Sequence, residues 1–192
     1  MDIFSAIKNR RSSRTFIEKK ISQEMLEKLI YYASLAPSPK NRQPWKAILL
    51  QDSYKDEFVT FSFACIESLK KQERRFGSLE ISLNAMKEAD SLFIIYNPFW
   101  EESPSEEKTR WQECDLQAIG AMVENLILSA TACDIGSLWI NDFRFIKKEI
   151  QDWLVLREDI IAIVALGYMP SLPFSKRRKS IQDILEVRQK KQ

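Results

Sequence analysis

The sequence predicts a single α+β domain, with helices packed around a small sheet, and three observations carry that prediction. The chain has 192 residues, enough for one sizeable core and too few for two comfortable ones. Apolar residues recur at helical spacing over several long stretches, whereas only a few compact runs have the length and composition of strands. The elements do not alternate as β-α-β units, which argues against a parallel, doubly wound sheet. No internal repeat, low-complexity stretch or Pro/Gly/Ser-rich linker divides the chain, so residues 1–192 are read as one domain.

Each element has a local reason. Asp2 to Asn9 forms a short amphipathic opening. Ser22 is placed to cap a helix in which Met25, Leu26, Leu29, Ile30 and Ala33 recur at helical spacing until Pro37 ends it. Pro37-Ser38-Pro39-Lys40-Asn41 is turn-like, and the compact apolar run Trp45 to Leu50 has strand length. Residues 53–72 and 79–88 read as helices. Ser91 to Tyr96, rich in Ile, Phe and Tyr and closed by Asn97-Pro98, reads as a buried strand. The polar, acidic segment Trp100 to Lys108 is predicted as a loop. Asp115 to Ala132 places Ile119, Met122, Val123, Leu126 and Ile127 at helical spacing with a thin polar face, the pattern of a central, mostly buried helix. A short strand at Ser137 to Ile140, a helix near Ile146 to Leu154, the continuous apolar strand Ile160 to Leu166 and a basic tail complete the chain.

Composition excludes several functions. The chain contains no histidine, which removes Ser-His-Asp and Cys-His hydrolases, histidine general bases and histidine proton shuttles. Cys65, Cys114 and Cys133 are far apart with no C-x-x-C spacing, so a disulfide scaffold is excluded, a zinc site is not expected, and the three read as small buried hydrophobes. An enzyme built on this chain would draw its chemistry from a cofactor. The longest apolar run, Ile160 to Met169, has about half of the roughly 20 residues a membrane-spanning helix needs. The opening Met1-Asp2-Ile3 is too acidic and polar for a signal peptide, so a cytoplasmic location without a membrane partner is expected.

The net charge of +2 hides an uneven distribution. Residues 1–20 hold six basic and two acidic side chains, residues 174–192 hold seven and two, and the body between them is therefore acidic. That pattern argues against a broad nucleic-acid face and for local anion sites, either two or one shared by both ends.

Two segments carry chemistry. Arg10-Arg11-Ser12-Ser13-Arg14 offers guanidinium forks and hydroxyls able to bind a phosphate or an electron-rich carbonyl, although a solvated basic turn has the same composition. In Ala36-Pro37-Ser38-Pro39-Lys40-Asn41-Arg42-Gln43-Pro44-Trp45, the prolines stiffen a loop on which Ser38, Asn41 and Gln43 present neutral donors and acceptors, suited to the edge of a planar heterocycle.

Together, in this order and separated by one helix, R-R-S-x-R and A-P-S-x-x-N-x-Q-P-W resemble the flavin-dependent nitroreductase family. Asn84-x-x-Lys87, the helix bearing Glu124-Asn125-Leu126, and Ala165-Leu166-Gly167-Tyr168 followed by Lys176-Arg177-Arg178 extend the resemblance over nearly the whole chain. The resemblance implies a nitroreductase-like fold, with a central, mainly antiparallel sheet surrounded by helices, and an intertwined homodimer with FMN held non-covalently at its interface, the tail 170–192 extending over the partner. It implies that Arg10, Arg11, Ser12 and Arg14 contact the phosphate, ribityl chain and pyrimidine edge, with Lys176 and Arg178 closing on the phosphate. Pro37, Ser38, Asn41 and Gln43 would come from the partner subunit. Asn84 and Lys87 would lie at the flavin ring, Lys87 favouring negative charge near N1 and O2. Trp139, Ile140 and Asn141 would pass beside the ring, with an amide of Asn141 or Asp142 near N5.

The implied activity is transfer of hydride from NADH or NADPH, through flavin N5, to a nitroaromatic, a quinone or a similar small-molecule acceptor by a ping-pong mechanism, with no catalytic side chain and no nucleic-acid partner. Relatives with other flavin chemistry, such as dehalogenation, flavin fragmentation or ring oxidation, and a non-enzymatic flavin-binding or redox-sensing protein are the alternatives. Asn141 and Asp142 depart from the glycine or glutamate common at these positions, which puts the N5 contact in doubt. Trp139 reads equally as a core or a ring-stacking residue, and Phe99, Trp100 and Trp111 as a substrate roof or as anchors for their own loop.

Overall fold

In the computed structural model, which describes residues 1–100 and 105–189, the centre is a four-stranded antiparallel sheet. Its strands are β1 (Lys46–Gln51), β2 (Ser91–Asn97), β3 (Gly136–Ile140) and β4 (Asp159–Gly167), in the spatial order β1-β2-β4-β3. Among the described residues six α-helices surround it: α1 (Ile3–Asn9), α2 (Gln23–Ser34), α3 (Asp52–Lys71), α4 (Leu79–Glu88), α5 (Glu106–Ala132) and α6 (Lys147–Trp153).

The central strands β2 and β4 are apolar along almost their whole length because helices cover both faces of the sheet. Successive side chains point to opposite faces. Leu92, Ile94, Ile163 and Ala165 therefore join Phe58, Leu83 and Met86 of α3 and α4 on one side. Phe93, Ile95, Val164 and Leu166 join Leu26 and Leu29 of α2 and Ile119, Met122 and Leu126 of α5 on the other. A bulge between Ile95 and Tyr96 leaves Ile161 unpaired, which lets Ile161 and Ala162 face the same layer.

Most elements lie where the periodicity placed them. The Ser22 hydroxyl accepts the Met25 amide at 3.3 Å, which is the predicted cap of α2. The exception is the segment Trp100 to Lys108. It is not wholly a loop, because α5 begins at Glu106, nine residues before the apolar repeat. The Ser105 hydroxyl accepts the Lys108 amide, and Glu106 and Glu107 in the first turn complement the positive end of the helix, so the helix starts without an apolar signal. Residues 101–104 of that expected loop lie outside the described residues. After Met169 the tail leaves the body with Leu172, Phe174, Ile181, Ile184, Leu185 and Val187 exposed; its last residues, 190–192, lie outside the described residues. No helix of the described residues is long and apolar enough to cross a membrane.

Candidate functional site

Helix α1 ends at Arg10, and the chain then runs extended beside β3. Ser12 bridges to Ser137, the Ser13 amide donates to the Ser137 carbonyl at 2.9 Å, and the Ser13 hydroxyl donates to Met169 Sδ at 2.8 Å. The basic segment is thereby fixed at the end of the sheet where β2 begins and β4 ends. Arg11 Nη1 donates to the carbonyls of Lys8 (2.7 Å) and Arg10 (2.9 Å), while its Nε is buried with no partner among the described residues. A buried donor without an acceptor costs about 1–3 kcal/mol, so an acceptor placed in this corner would be favourably received. Ser12 and Arg14 are exposed, Arg14 donating weakly to the Ser12 carbonyl at 3.4 Å, and Arg10 is half-buried.

Helix α4 is tied to the same corner at both ends. The Phe16 amide, two residues past Arg14, donates to Glu88 Oε2 at 3.0 Å. The Phe16 ring lies so close over Gly167 that a Cβ there would sit 2.7 Å from Cδ1. Lys55 of α3 buries its ammonium against the carbonyls of Lys87 (3.1 Å) and Ala89 (2.6 Å), closing the C-terminal end of α4. At the other end the Ser78 hydroxyl donates to Asp142, just beyond β3. Asn84 and Lys87 are exposed on this helix, Asn84 donating back to the Glu80 carbonyl at 3.0 Å. Trp139, at 36% exposure, is not a core residue; Ile140 is buried and Asn141 exposed. Through Phe16 and Glu88 the C-terminal end of α4, with Lys87, borders the Arg10–Arg14 segment, and through Ser78 its other end borders the residues that follow β3.

A cleft of about 850 Å³ borders this corner and shares Phe16, Lys87 and Glu88 with it. Several of its charges are already paired. Lys20 donates to Asp52 at 2.5 Å and lies 3.5 Å from Asp90, and chiefly the bond to Asp52 holds its ammonium pKa above the usual lysine range. Among the described residues no cluster of acidic and cysteine side chains could hold a metal. The three cysteines are half-buried rather than buried, and burial pushes the Cys65 thiol pKa up, with the nearby Glu149 carboxylate adding to the effect.

The Pro37–Trp45 loop lies elsewhere. Lys40, Asn41 and Gln43 have φ of 53°, 54° and 48°, the left-handed region, which costs a non-glycine residue about 1–2 kcal/mol. Local bonds hold the turn: Asn41 N–H to the Ser38 carbonyl (3.0 Å), Arg42 N–H to the Pro39 carbonyl (3.1 Å) and Gln43 N–H to the Ser38 hydroxyl (2.9 Å). Arg42 reaches inward, its Nε donating to both oxygens of the buried Asp115 at 3.0 and 3.3 Å. Asn97 Nδ2 also donates to Asp115, and Asn97 Oδ1 accepts the Phe99 amide. The Arg42 guanidinium lies over the rings of Phe99 (4.2 Å) and Trp111 (5.3 Å), which makes those rings anchors of this region.

The loop enters β1 at Lys46, opposite Tyr96, whereas the basic segment lies at the Ser91 end beside β3. Five residues along β2 and four strand spacings across the sheet separate them, about 17 Å and about 19 Å. Within one chain, then, Pro37, Ser38, Asn41 and Gln43 are not brought to the corner that holds Arg10–Arg14. Lys176 and Arg178 are exposed on the tail. Arg42, Asp115 and Glu88 escaped the sequence reading. Asp115 had a signal, since it shares a helix face with Ile119 and Met122, where a charge demands a partner.

The sequence model of the nitroreductase family matches residues 7–168. The chain belongs to that family. A protein of Archaeoglobus fulgidus provisionally named an NADH dehydrogenase/NAD(P)H nitroreductase is 30% identical over 167 residues, covering 84% of this chain and 82% of that protein. The solved structure of a nitroreductase-like family protein from Bacillus cereus superposes with a TM-score of 0.81 at 24% identity, over 97% of this chain and 96% of that one. One from Desulfovibrio desulfuricans, provisionally called a nitroreductase and crystallised with FMN, superposes with a TM-score of 0.75 at 23% identity over 97% of each chain. The nitroreductase fold is therefore the fold of this chain, with the antiparallel sheet and surrounding helices that the resemblance implied.

Proposed function

We propose that this nitroreductase-family protein is an FMN-dependent oxidoreductase that takes hydride from NADH or NADPH and passes it to a small electron-poor acceptor, such as a nitroaromatic or a quinone. The observation that carries the reading is the buried, unpartnered Arg11 Nε within the Arg10–Arg14 segment. That donor set fits a phosphate, and the neutral donors of Asn41, Gln43 and Asn84 with the half-exposed Trp139 ring suit a planar heterocycle. The family match and the NAD(P)H and FMN named for relatives support the same cofactor and co-substrate.

In this reading Arg10, Arg11, Ser12 and Arg14 hold the phosphate, ribityl chain and pyrimidine edge, and Lys176 and Arg178 of the basic tail close on the phosphate. Lys87, held at its backbone by Lys55, places its ammonium beside the ring edge and favours negative charge there. Trp139, Ile140 and Asn141 flank the ring. Pro37, Ser38, Asn41 and Gln43 come from a second copy, because one sheet cannot bring both of its diagonal corners to the same ligand. The tail 170–192, with Leu172, Phe174, Ile181, Ile184 and Leu185 exposed, extends over that copy and completes a homodimer. Bound FMN supplies the hydride-carrying centre, so the nicotinamide and the acceptor use one cavity in turn and no histidine is needed.

The test is an absorbance spectrum of the purified protein, followed by anaerobic addition of NADH and then NADPH. Oxidised-flavin bands that bleach with either nucleotide and return with a quinone are expected. A colourless protein that takes up no added FMN would overturn the reading.

A further inference from the structure

We propose that Arg42 is a positioning residue that sets the geometry of the Pro37–Trp45 loop for the cofactor and of the Phe99–Trp111 aromatic shelf for the acceptor. The inference rests on the reading that Asn41 and Gln43 contact FMN bound by a second copy.

The loop holds a conformation that Lys40 and Gln43 do not favour and that Asn41 tolerates. Three non-glycine residues within four positions are left-handed, with Arg42 between them in the right-handed helical region at φ −67°. Lys40, Asn41 and Gln43 are exposed, so no burial of their side chains enforces this backbone. Between Pro37 and Gln43, Arg42 is the side chain that reaches a buried group, the Asp115 carboxylate, whose side chain is 1% exposed. The bond leaves from Nε, next to the aliphatic stem, which constrains the direction of the whole side chain and hence of the backbone from which it departs.

The pair is buried at its Asp115 end, where an ion pair is a poor stabiliser compared with apolar residues of the same volume and its best-attested use is to fix register. Here the register has two readers. Through Asp115 and Asn97 the network continues to the Phe99 amide, and the face of the same guanidinium carries the Phe99 and Trp111 rings. A cavity of about 460 Å³ opens beside them, lined by Arg42, Phe99, Trp100 and Trp111 among others, a size that suits a small aromatic molecule. Displacing Arg42 therefore shifts the loop that meets the cofactor and the rings that would meet an aromatic acceptor in one movement.

The experiment measures the FMN dissociation constant of the full-length apoprotein by quenching of flavin fluorescence, and the KM for a nitroaromatic with the reconstituted enzyme. Asp115→Asn keeps the shape of the side chain and removes its charge. It is expected to raise the FMN dissociation constant about ten-fold and to raise KM more than it lowers kcat, while circular dichroism and elution volume stay unchanged. Adding Lys40→Asn, which places a residue tolerant of the left-handed region at an exposed site, is expected to recover about three-fold of the lost affinity. Urea melts of both variants read any general change in stability separately from the change in FMN affinity. Asn41→Ala is the reference. If it weakens FMN binding while Asp115→Asn and Arg42→Lys bind FMN like the parent, the role given to Arg42 is wrong and the loop's contact with FMN stands. If Asn41→Ala and Gln43→Ala both leave FMN binding unchanged, the loop does not meet the cofactor and the inference falls with the reading beneath it.

Discussion

Arg11 is held by backbone carbonyls through Nη1 while its Nε faces no partner, so its worth differs between the empty and the loaded protein. Arg11→Met removes the orphaned Nε together with the two bonds from Nη1, terms of opposite sign, so the apoprotein is expected to unfold within about 1 kcal/mol of the parent, whereas FMN affinity drops by about 1.5–3 kcal/mol; urea melts and flavin titrations read the two separately. Arg10→Ala and Arg14→Ala are expected to weaken FMN binding by a similar amount, and unchanged affinity in both would place the phosphate elsewhere. Cys65 is a half-buried thiol whose pKa burial raises, so little thiolate forms near neutral pH; alkylation by iodoacetamide at pH 7 is expected to be slower than for free cysteine and to accelerate as pH rises toward the raised pKa. The donors on the two motifs could be read in the sequence because each lies on a short contiguous stretch. Asp115 showed only that a charge on an apolar helix face needs a partner; that the partner is Arg42 could not be read, because the bond joins positions 73 residues apart and only the fold brings them together.

At the scale of elements, what could be read followed from how each one is stabilised. Strands β2 and β4, buried on both faces, announce themselves as apolar runs, and α2 by its Ser22 cap and periodic face. The first turns of α5 rest on a serine cap and two glutamates, polar residues that also compose loops, so its beginning was misread. The left-handed backbone at Lys40, Asn41 and Gln43 was equally hidden, since no glycine marks it. The junction of the N-terminal segment with β4 has its own consequence. Phe16 packs over Gly167 while its amide is held by Glu88, so a methyl group at Gly167 meets a ring that cannot retreat. Gly167→Ala is expected to destabilise the protein by about 1–3 kcal/mol in urea melts and to weaken FMN binding as well, because Phe16 is two residues from Arg14. A variant as stable as the parent would mean that this segment is not clamped there.

For the molecule as a whole, the charge asymmetry of the sequence acquires a place. The N-terminal basic segment is fixed beside the end of β4, where the chain turns into the exposed basic tail. The two motifs of the sequence occupy diagonal corners of the sheet, a separation that spacing along the chain could not reveal and that the order β1-β2-β4-β3 makes explicit. The central claim is that each cofactor site combines Arg14 of one copy with Asn41 of another. It is tested most directly by subunit complementation. Chains carrying Arg14→Ala and chains carrying Asn41→Ala are each prepared, then co-expressed in equal amounts, and FMN bound per subunit is measured at a concentration where each variant alone binds little. Random pairing in a two-fold dimer restores one intact site in each mixed dimer, so about a quarter of the parent's sites are expected to reappear. No recovery in the mixed sample, with mixed dimers confirmed by differently tagged chains, would contradict a site shared between two copies.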